Sequence, residues 1–440
     1  MSFPKYPAYT DSGVEWIGEI PAHWSLQRCK QVFIERDERS ETGEEMLLSV
    51  SAYTGISPRG EIINDGDFLS RAQSLVGYKI CYPNDLVMNI MLAWNRGLGF
   101  SNYYGIVSPA YSVFKLLPGN CTRFLDYLVR SDEAILYYKA FSSGVIDSRL
   151  RLYPNIFGSL YYALPPLAEQ QAIASFLDRE CGKIDGLIAE QERLIALLAE
   201  KRQAVISHAV TKGLNPNVPM KDSGIPWIGV VPAHWSSPPL YMRYSSELGK
   251  MLDTKRISGK HPVPYLRNID VQWGVINFFD LPIMDISVSE YDRYTIQTGD
   301  LLVCEGGEVG RAAVVKNAPA TIGYQKALHR LRRLLPDELP PYMFYIFFSA
   351  VKAGAFAGEG QSTIAHLTGE QLRKYRFPKP PFVEQKLIVQ FLDRETTKLD
   401  RLECEAGLAV TLLKERRTTL ISAAVTGKID VRAQSKALAA

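Results

Sequence analysis

The chain has 440 residues, 46% of them hydrophobic and 22% charged, with a formal net charge of +3. That is enough apolar side chain for full cores in about two to four domains, and it excludes an unfolded polyelectrolyte. No run of the sequence approaches the ~18 apolar residues of a membrane span, and near-neutrality neither demands nor forbids a polyanionic partner, because a basic face coexists with an acidic back.

The opening residues show neither a basic start nor an apolar run, so a cytoplasmic protein is expected. Six cysteines (Cys29, Cys81, Cys121, Cys181, Cys304 and Cys404) lie at least 40 positions apart. They form no CxxC pair and read as buried packing residues in a reducing compartment.

The first element in chain order, residues 11–25 (DSGVEWIGEIPAHWS), is written again 211 positions later as residues 222–236 (DSGIPWIGVVPAHWS), with 11 of 15 positions identical. A duplication of this size is a pseudo-dimer in one polypeptide, suited to a target that itself comes in two parts. His23 and His234, beside Trp24 and Trp235 in the repeated tetrapeptide, read as hydrogen-bonded core residues of a packing element. Residues 83–88 (PNDLVM) then match residues 298–303 (TGDLLV) at an offset of 215, in each case a turn followed by an apolar strand. Residues 111–118 and 329–336 alternate and end at proline. Aromatic-rich helical stretches follow at 123–141 and 342–356, then flexible segments at 142–148 and 358–362. A short helix comes next, which in the second copy opens on the capping box Thr368 to Gln371. Each copy is thus a mixed α/β (α+β) globular module.

Each module is closed by a helical tail. Neither 169–212 nor 384–426 contains proline, and both are expected as long helices. A 3.5-residue seam runs through Ile184, Leu187, Gln191, Leu194, Leu198, Lys201 and Val205, and again through Leu399, Leu402, Ala406, Ala409, Leu413, Arg416 and Leu420. The simplest solution packs the two helices on each other as an antiparallel coiled coil with an internal pseudo-twofold. Residues 184–208 would then span about 37 Å, near the ~34 Å turn of B-DNA. The divisions that follow are 1–165 (first module), 166–212 (central helix), 213–378 (second module), 379–428 (C-terminal helix) and 429–440 (flexible tail).

No catalytic or metal-ligating group emerges. The six histidines form no HExxH and no cluster with cysteine, and the glycines at 306–310 lack the Lys-Ser/Thr of a phosphate loop. Leu339-Pro-Pro-Tyr342 and Lys379-Pro-Pro-Phe382 have the aromatic of an amine-methylating motif without its polar residue. Glu384-Gln-Lys386 after Asp337 has a nuclease-like tripeptide, but its copy is Glu169-Gln-Gln171. The repeated Pro-Pro-x-x-Glu-Gln therefore reads as the start of a helix with a carboxylate in its first turn.

What the modules offer instead is side chains suited to DNA. In the first these are Lys79, Asn89, Met91, Trp94, Asn95, Arg96, Ser108, Tyr111, Arg149 and Arg151. In the second they are Lys255, Arg256, Lys260, Arg267, Asn268, Glu305, Arg311, Gln325, Lys326, Gln361, Ser362 and Thr363. Arg and Lys pair with guanine, Asn and Gln with adenine, and Glu with the cytosine amine, while others hold phosphates.

The WIGxxPxHW openings at residues 16–24 and 227–235, the PPxxEQxxIxxFLDxE segments from Pro165 and Pro380, and the tails ending at 209–211 and 424–426 together resemble the specificity subunit of type I restriction–modification systems. The resemblance covers nearly the whole chain. It implies two target-recognition domains (1–165 and 213–378), each reading one half of an asymmetric bipartite site in double-stranded DNA. It also implies helices that set the spacer and dock methyltransferase (modification) subunits. This chain is then a non-catalytic subunit that binds no cofactor. S-adenosylmethionine, ATP and Mg belong to two modification and two restriction/translocase partners, which together form an adenine-N6 DNA methyltransferase and ATP-dependent site-specific deoxyribonuclease. The other reading is a stand-alone pseudo-dimeric DNA-binding regulator or scaffold without enzymatic partners; flanking methyltransferase and translocase genes would separate the two.

Overall fold

The computed structural model describes residues 3–15, 17–52, 54–59, 74–146, 149–252, 259–319, 321–356 and 367–433. The chain divides into two compact units: Met1–Glu192 with Leu408–Ala440, and Arg193–Gly407. Five helices matter below: α1 (Thr122–Val129), α2 (Asp132–Phe141), α3 (Leu167–Lys212), α4 (Pro340–Lys352) and α5 (Phe382–Val425). Both long helices contribute to both units.

The first unit is built on strands β1 (Phe33–Arg36), β2 (Leu86–Asn89), β3 (Leu98–Phe100) and β4 (Tyr111–Leu116), antiparallel in the order β1-β4-β2-β3. Residues 86–88 of strand β2 are an unbroken apolar run because both faces are covered. Leu86 and Met88 face the main core with Phe114, Phe124 and Phe157, while Val87 joins Leu48, Ile56, Val107 and Val113 on the other side. The second unit repeats the order with β5 (Tyr244–Leu248), β6 (Leu301–Cys304), β7 (Ala312–Val314) and β8 (Leu328–Arg333), as β5-β8-β6-β7. Leu301 and Val303 again face one core, and Leu302 and Cys304 another. The aspartate of the matched turn closes it in both copies. Asp85 accepts from the Tyr82 amide at 3.0 Å and pairs with Arg36 at 3.0 Å. Asp300 accepts from the Gln297 amide at 2.7 Å and from both arms of Arg332 at 2.8 Å.

The stretch expected as one helix over 123–141 is two, α1 and α2, because Ser131 turns the chain and its hydroxyl accepts from the Ala134 amide. In the second unit α4 runs unbroken. The capping box at Thr368 forms, with the hydroxyl accepting from Gln371 N at 3.3 Å and Gln371 Oε1 accepting from Thr368 N at 3.1 Å. The cysteine expectation needs one correction: Cys29, Cys81, Cys181 and Cys304 are buried and Cys121 half-buried, but Cys404 on α5 is exposed. The expected tail at 429–440 is also corrected in part. Val431 is fully buried, and the Asp430 amide donates to the Pro4 carbonyl at 2.8 Å, so α5 ends packed on the N-terminal segment.

The long helices run antiparallel where they meet in each unit. In the first, Asp185 pairs with Arg417 and Glu192 with Lys414. In the second, Arg202 pairs with Asp400, and Gly213 at the end of α3 lies against Glu384 at the start of α5. The seam differs from expectation at every second position. Ile184, Gln191, Leu198 and Val205 face inward as expected, but Leu187, Leu194 and Lys201 are exposed, and Ile188, Ile195 and Arg202 take their places. On α5 the inward set is Leu399, Glu403, Ala406, Val410, Leu413, Arg417 and Leu420, and Leu402 and Arg416 are exposed; Ala409 is half-buried beside Val410. The heptad is right but its second position falls four residues on rather than three. The reason is that Arg202 and Arg417 carry their stems along the seam to reach carboxylates on the facing helix.

Candidate nucleic-acid interface

The modules are held on the long helices by the repeated Glu-Gln pair. Glu169 accepts from Tyr6 Oη at 2.7 Å and Trp24 Nε1 at 3.1 Å, and lies 2.7 Å from His23 Nε2. Glu384 accepts from Trp235 Nε1 at 3.1 Å and lies 2.9 Å from His234. Burial and the Glu169 carboxylate push the Tyr6 hydroxyl far above the ordinary phenol range. The histidines are hydrogen-bonded as expected, but with side chains 39% and 45% exposed they sit at the rim of the core rather than in it. The adjacent glutamine does equal work: Gln170 accepts from Cys121 N at 2.8 Å and donates to Pro165 O at 2.9 Å, while Gln385 accepts from Leu339 N at 3.1 Å and donates to Pro380 O at 3.0 Å. Cys121 and Leu339 precede α1 and α4, so the motif docks the first helix of each module. It is structural, and the nuclease-like lysine is spent on the Phe382 ring at 4.5 Å.

In both units the loop that leaves the second sheet strand meets the segment that returns toward the long helix. The Ile90 carbonyl accepts from Leu152 N at 2.8 Å, and 215 positions later the Glu305 carbonyl accepts from Leu367 N at 3.0 Å. The turn before the next long strand lies alongside. Tyr111 stands opposite Asn89 in register, and Ala327 O accepts from Glu305 N at 3.0 Å. This edge gathers most of the expected contact residues.

In the first unit the edge holds Met91, Asn95 and Arg149 exposed, with Trp94, Ser108, Tyr111 and Arg151 half-buried. Arg151 pairs by backbone with Ser143 at 2.9 Å in both directions. Three candidates are consumed by the fold. Lys79 is 7% exposed and ion-paired with Asp37 at 3.3 Å. Asn89 is 4% exposed, its Oδ1 accepting from Met91 N at 3.1 Å. Arg96 is tied to Asp132 and to the Arg130 carbonyl. Arg96 also lines a crevice of about 450 Å³ with Asp126, Arg130 and Arg417. Burial raises the Asp126 carboxyl and lowers the Arg130 guanidinium from their ordinary ranges. In the second unit Trp273 packs edge-on against Phe344 and Phe348 from the equivalent helix α4.

In the second unit Lys260 and Lys326 are exposed, and Glu305, Gln325, Arg267, Asn268 and Arg311 half-buried. Arg267 is bidentate to Asp270 at 2.9 Å, Asn268 donates to Gly306 O at 2.9 Å, and Arg311 donates to Asn268 O at 3.0 Å. These three build the loop frame rather than present free donors. Lys255, Arg256, Gln361, Ser362 and Thr363 lie outside the described residues. Sequence reasoning passed over His329, which is fully buried and donates from Nε2 to Leu367 O at 2.8 Å, pinning the return segment beside Glu305. Burial lowers its pKa, and no charged copy in the first unit signals it. The repeated motifs contain Gln170, Gln385, Asp85 and Asp300 at the 215-residue offset, as a helix start and a turn in sequence, but their docking and turn-closing hydrogen bonds appear only in the structure.

Two α/β modules of one strand order, each presenting unlike loops on a matching edge, make a duplicated protein. Residues 246–405 match the family described as Type I restriction modification DNA specificity domain. The chain is 25% identical over 341 residues to the type I restriction enzyme EcoKI specificity subunit of Escherichia coli K12, covering 76% of this chain and 69% of that one. It is 22% identical over 286 residues to the EcoBI specificity subunit of Escherichia coli, covering 61% and 58%. Among solved structures it resembles one determined for complex assembly and conformational transition of a type I R-M system, with TM-score 0.71, 15% identity, and 92% and 98% coverage. It also resembles the HsdS subunit of Thermoanaerobacter tengcongensis, with TM-score 0.57, 17% identity, and 95% and 99% coverage. The chain is thus similar, in its second unit by family model and over most of its length by sequence, to the specificity subunits of type I restriction–modification systems. Among the described residues no helix is long and apolar enough to cross a membrane.

Proposed function

We propose that each unit reads one half of a bipartite DNA target, that the paired helices α3 and α5 set the spacing between the halves, and that the chain itself performs no chemistry. The observation that carries this reading is the edge just described. The same backbone frame, Leu152 to Ile90 and Leu367 to Glu305, holds side chains that do not match between units. Identical scaffolding with divergent loops is what two unrelated half-sites require. The DNA is double-stranded, read in the cytoplasm by the free side chains of each edge, while cations such as Lys326 and Arg149 hold phosphates.

The helices also support two equivalent partner contacts. Leu187 and Leu412 are exposed in the first unit, and their 215-residue counterparts Leu402 and Leu197 are exposed in the second. Apolar side chains left outside the seam in duplicate favour two copies of one partner, read here as modification subunits that supply S-adenosylmethionine chemistry at adenine. Restriction/translocase partners would supply the ATP- and Mg-dependent steps. The test is to map the bases selected by the complex carrying this chain. Two constant blocks separated by a fixed unspecified spacer are expected, and exchanging residues 237–378 for those of a relative should alter one block only. A single continuous motif, or change in both blocks, would refute the reading.

A further inference from the structure

We infer that Glu305 is a specificity-determining residue of the second unit, reading a cytosine through its N4 amine in the major groove; this rests on the half-site reading above. Its carboxylate is half-buried and, among the described residues, has neither a hydrogen bond nor an ion pair. Its neighbour Glu308 differs, taking Trp273 Nε1 at 2.9 Å and Lys352 at 3.7 Å. The backbone of Glu305 is fixed from both sides, by Ala327 O at 3.0 Å and Leu367 N at 3.0 Å, so the side chain is presented from a rigid position rather than a loose loop. Gly306 and Gly307 follow it, and the positive φ of Gly307 (75°) lets the backbone turn away without a Cβ pressing on Asn268.

The strand-and-return frame forms without a carboxylate at this place in the first unit, although in the second unit Glu305 also acts electrostatically on the buried His329. The residue in the same place in the first unit, making the same carbonyl contact to the return segment, is Ile90. On a surface that approaches phosphates, a carboxylate with no partner of its own is repelled unless it meets a donor. The donors that the major groove offers a carboxylate are the amines of cytosine and adenine; the adenine amine stands beside the N7 acceptor, which opposes a carboxylate, so the cytosine amine is the better match. The flanking Lys326, exposed and one residue from Ala327, offsets the repulsion by holding the backbone. Glu305 therefore rejects as well as selects, since guanine or thymine at that place would set acceptor against acceptor.

The experiment is base selection by the assembled complex from a randomised duplex pool, with wild type, Glu305→Gln and Glu305→Ile. The wild-type complex should require a C·G pair at one position of one block, and replacing that pair should weaken binding about tenfold or more. Both variants should lose that preference while every other position of both blocks is retained. Unchanged preference in both variants, or loss of the entire block in both, overturns the assignment and leaves the half-site reading standing. A wild-type complex that selects no split motif overturns the half-site reading and the assignment with it.

Discussion

Arg243 and Glu338 form a bidentate pair at 2.8 Å with side chains 1% and 0% exposed, and Lys379 adds a third contact at 3.1 Å. Two further donations from Arg243 to the carbonyls of Phe377 and Pro378 satisfy the guanidinium. Removing one partner of such a pair strands a buried charge, which costs about 3–5 kcal/mol. Glu338→Ala should lower the stability of the second unit by that order in denaturant unfolding, leaving the first unit's transition in place. His329 carries a pH dependence. Burial lowers its folded pKa below the ordinary 6.5, so the unfolded chain binds the proton more readily. Stability from neutral His329 is full above about pH 6.5 and is lost as pH falls toward the folded value. Protonation would place an N–H on Nδ1, which among the described residues is buried without a partner. His329→Gln, which keeps a donor for Leu367 O, should flatten the decline in unfolding free energy between pH 7 and 5. Lys326→Gln should weaken DNA binding alike on all sequences and reduce the salt slope by about one.

At the scale of elements, the seam of α3 and α5 is held by a duplicated ion pair. Asp185 with Arg417 and Asp400 with Arg202 are the same contact at an offset of 215. Leu198 is 7% exposed, so Leu198→Ala should cost about 2–4 kcal/mol. By contrast, Leu187→Lys and Leu402→Lys, at 48% and 47% exposure, should leave the melting of the chain unchanged and reduce co-purification of modification subunits. If the lysine variants destabilise the chain instead, the expected seam is the real one. The helices themselves were legible from proline-free length, and so was one position of each heptad. The other was not, because Leu187 and Ile188, and Leu194 and Ile195, are neighbours of equal hydrophobicity. Only the reach of Arg202 and Arg417 across the seam chooses between them.

At the scale of the molecule, the two units share one strand order and one pair of docking motifs, and what distinguishes them is loop chemistry. If α3 and α5 set the spacer, inserting two helical turns in both helices should lengthen the unspecified gap between the blocks while leaving the blocks intact, as base selection would show. The sequence by itself determined the duplication, the α/β modules, the long helices and the family resemblance. Those properties repeat along the chain, so pattern and offset are enough to find them. It did not determine which polar side chains are free to bind. Lys79, Asn89, Arg96, Arg267 and Arg311 have the same chemistry as a DNA contact but are held by Asp37, Met91, Asp132, Asp270 and Asn268. Whether a charge is spent or available depends on partners brought from elsewhere in the chain, and only the tertiary structure decides that.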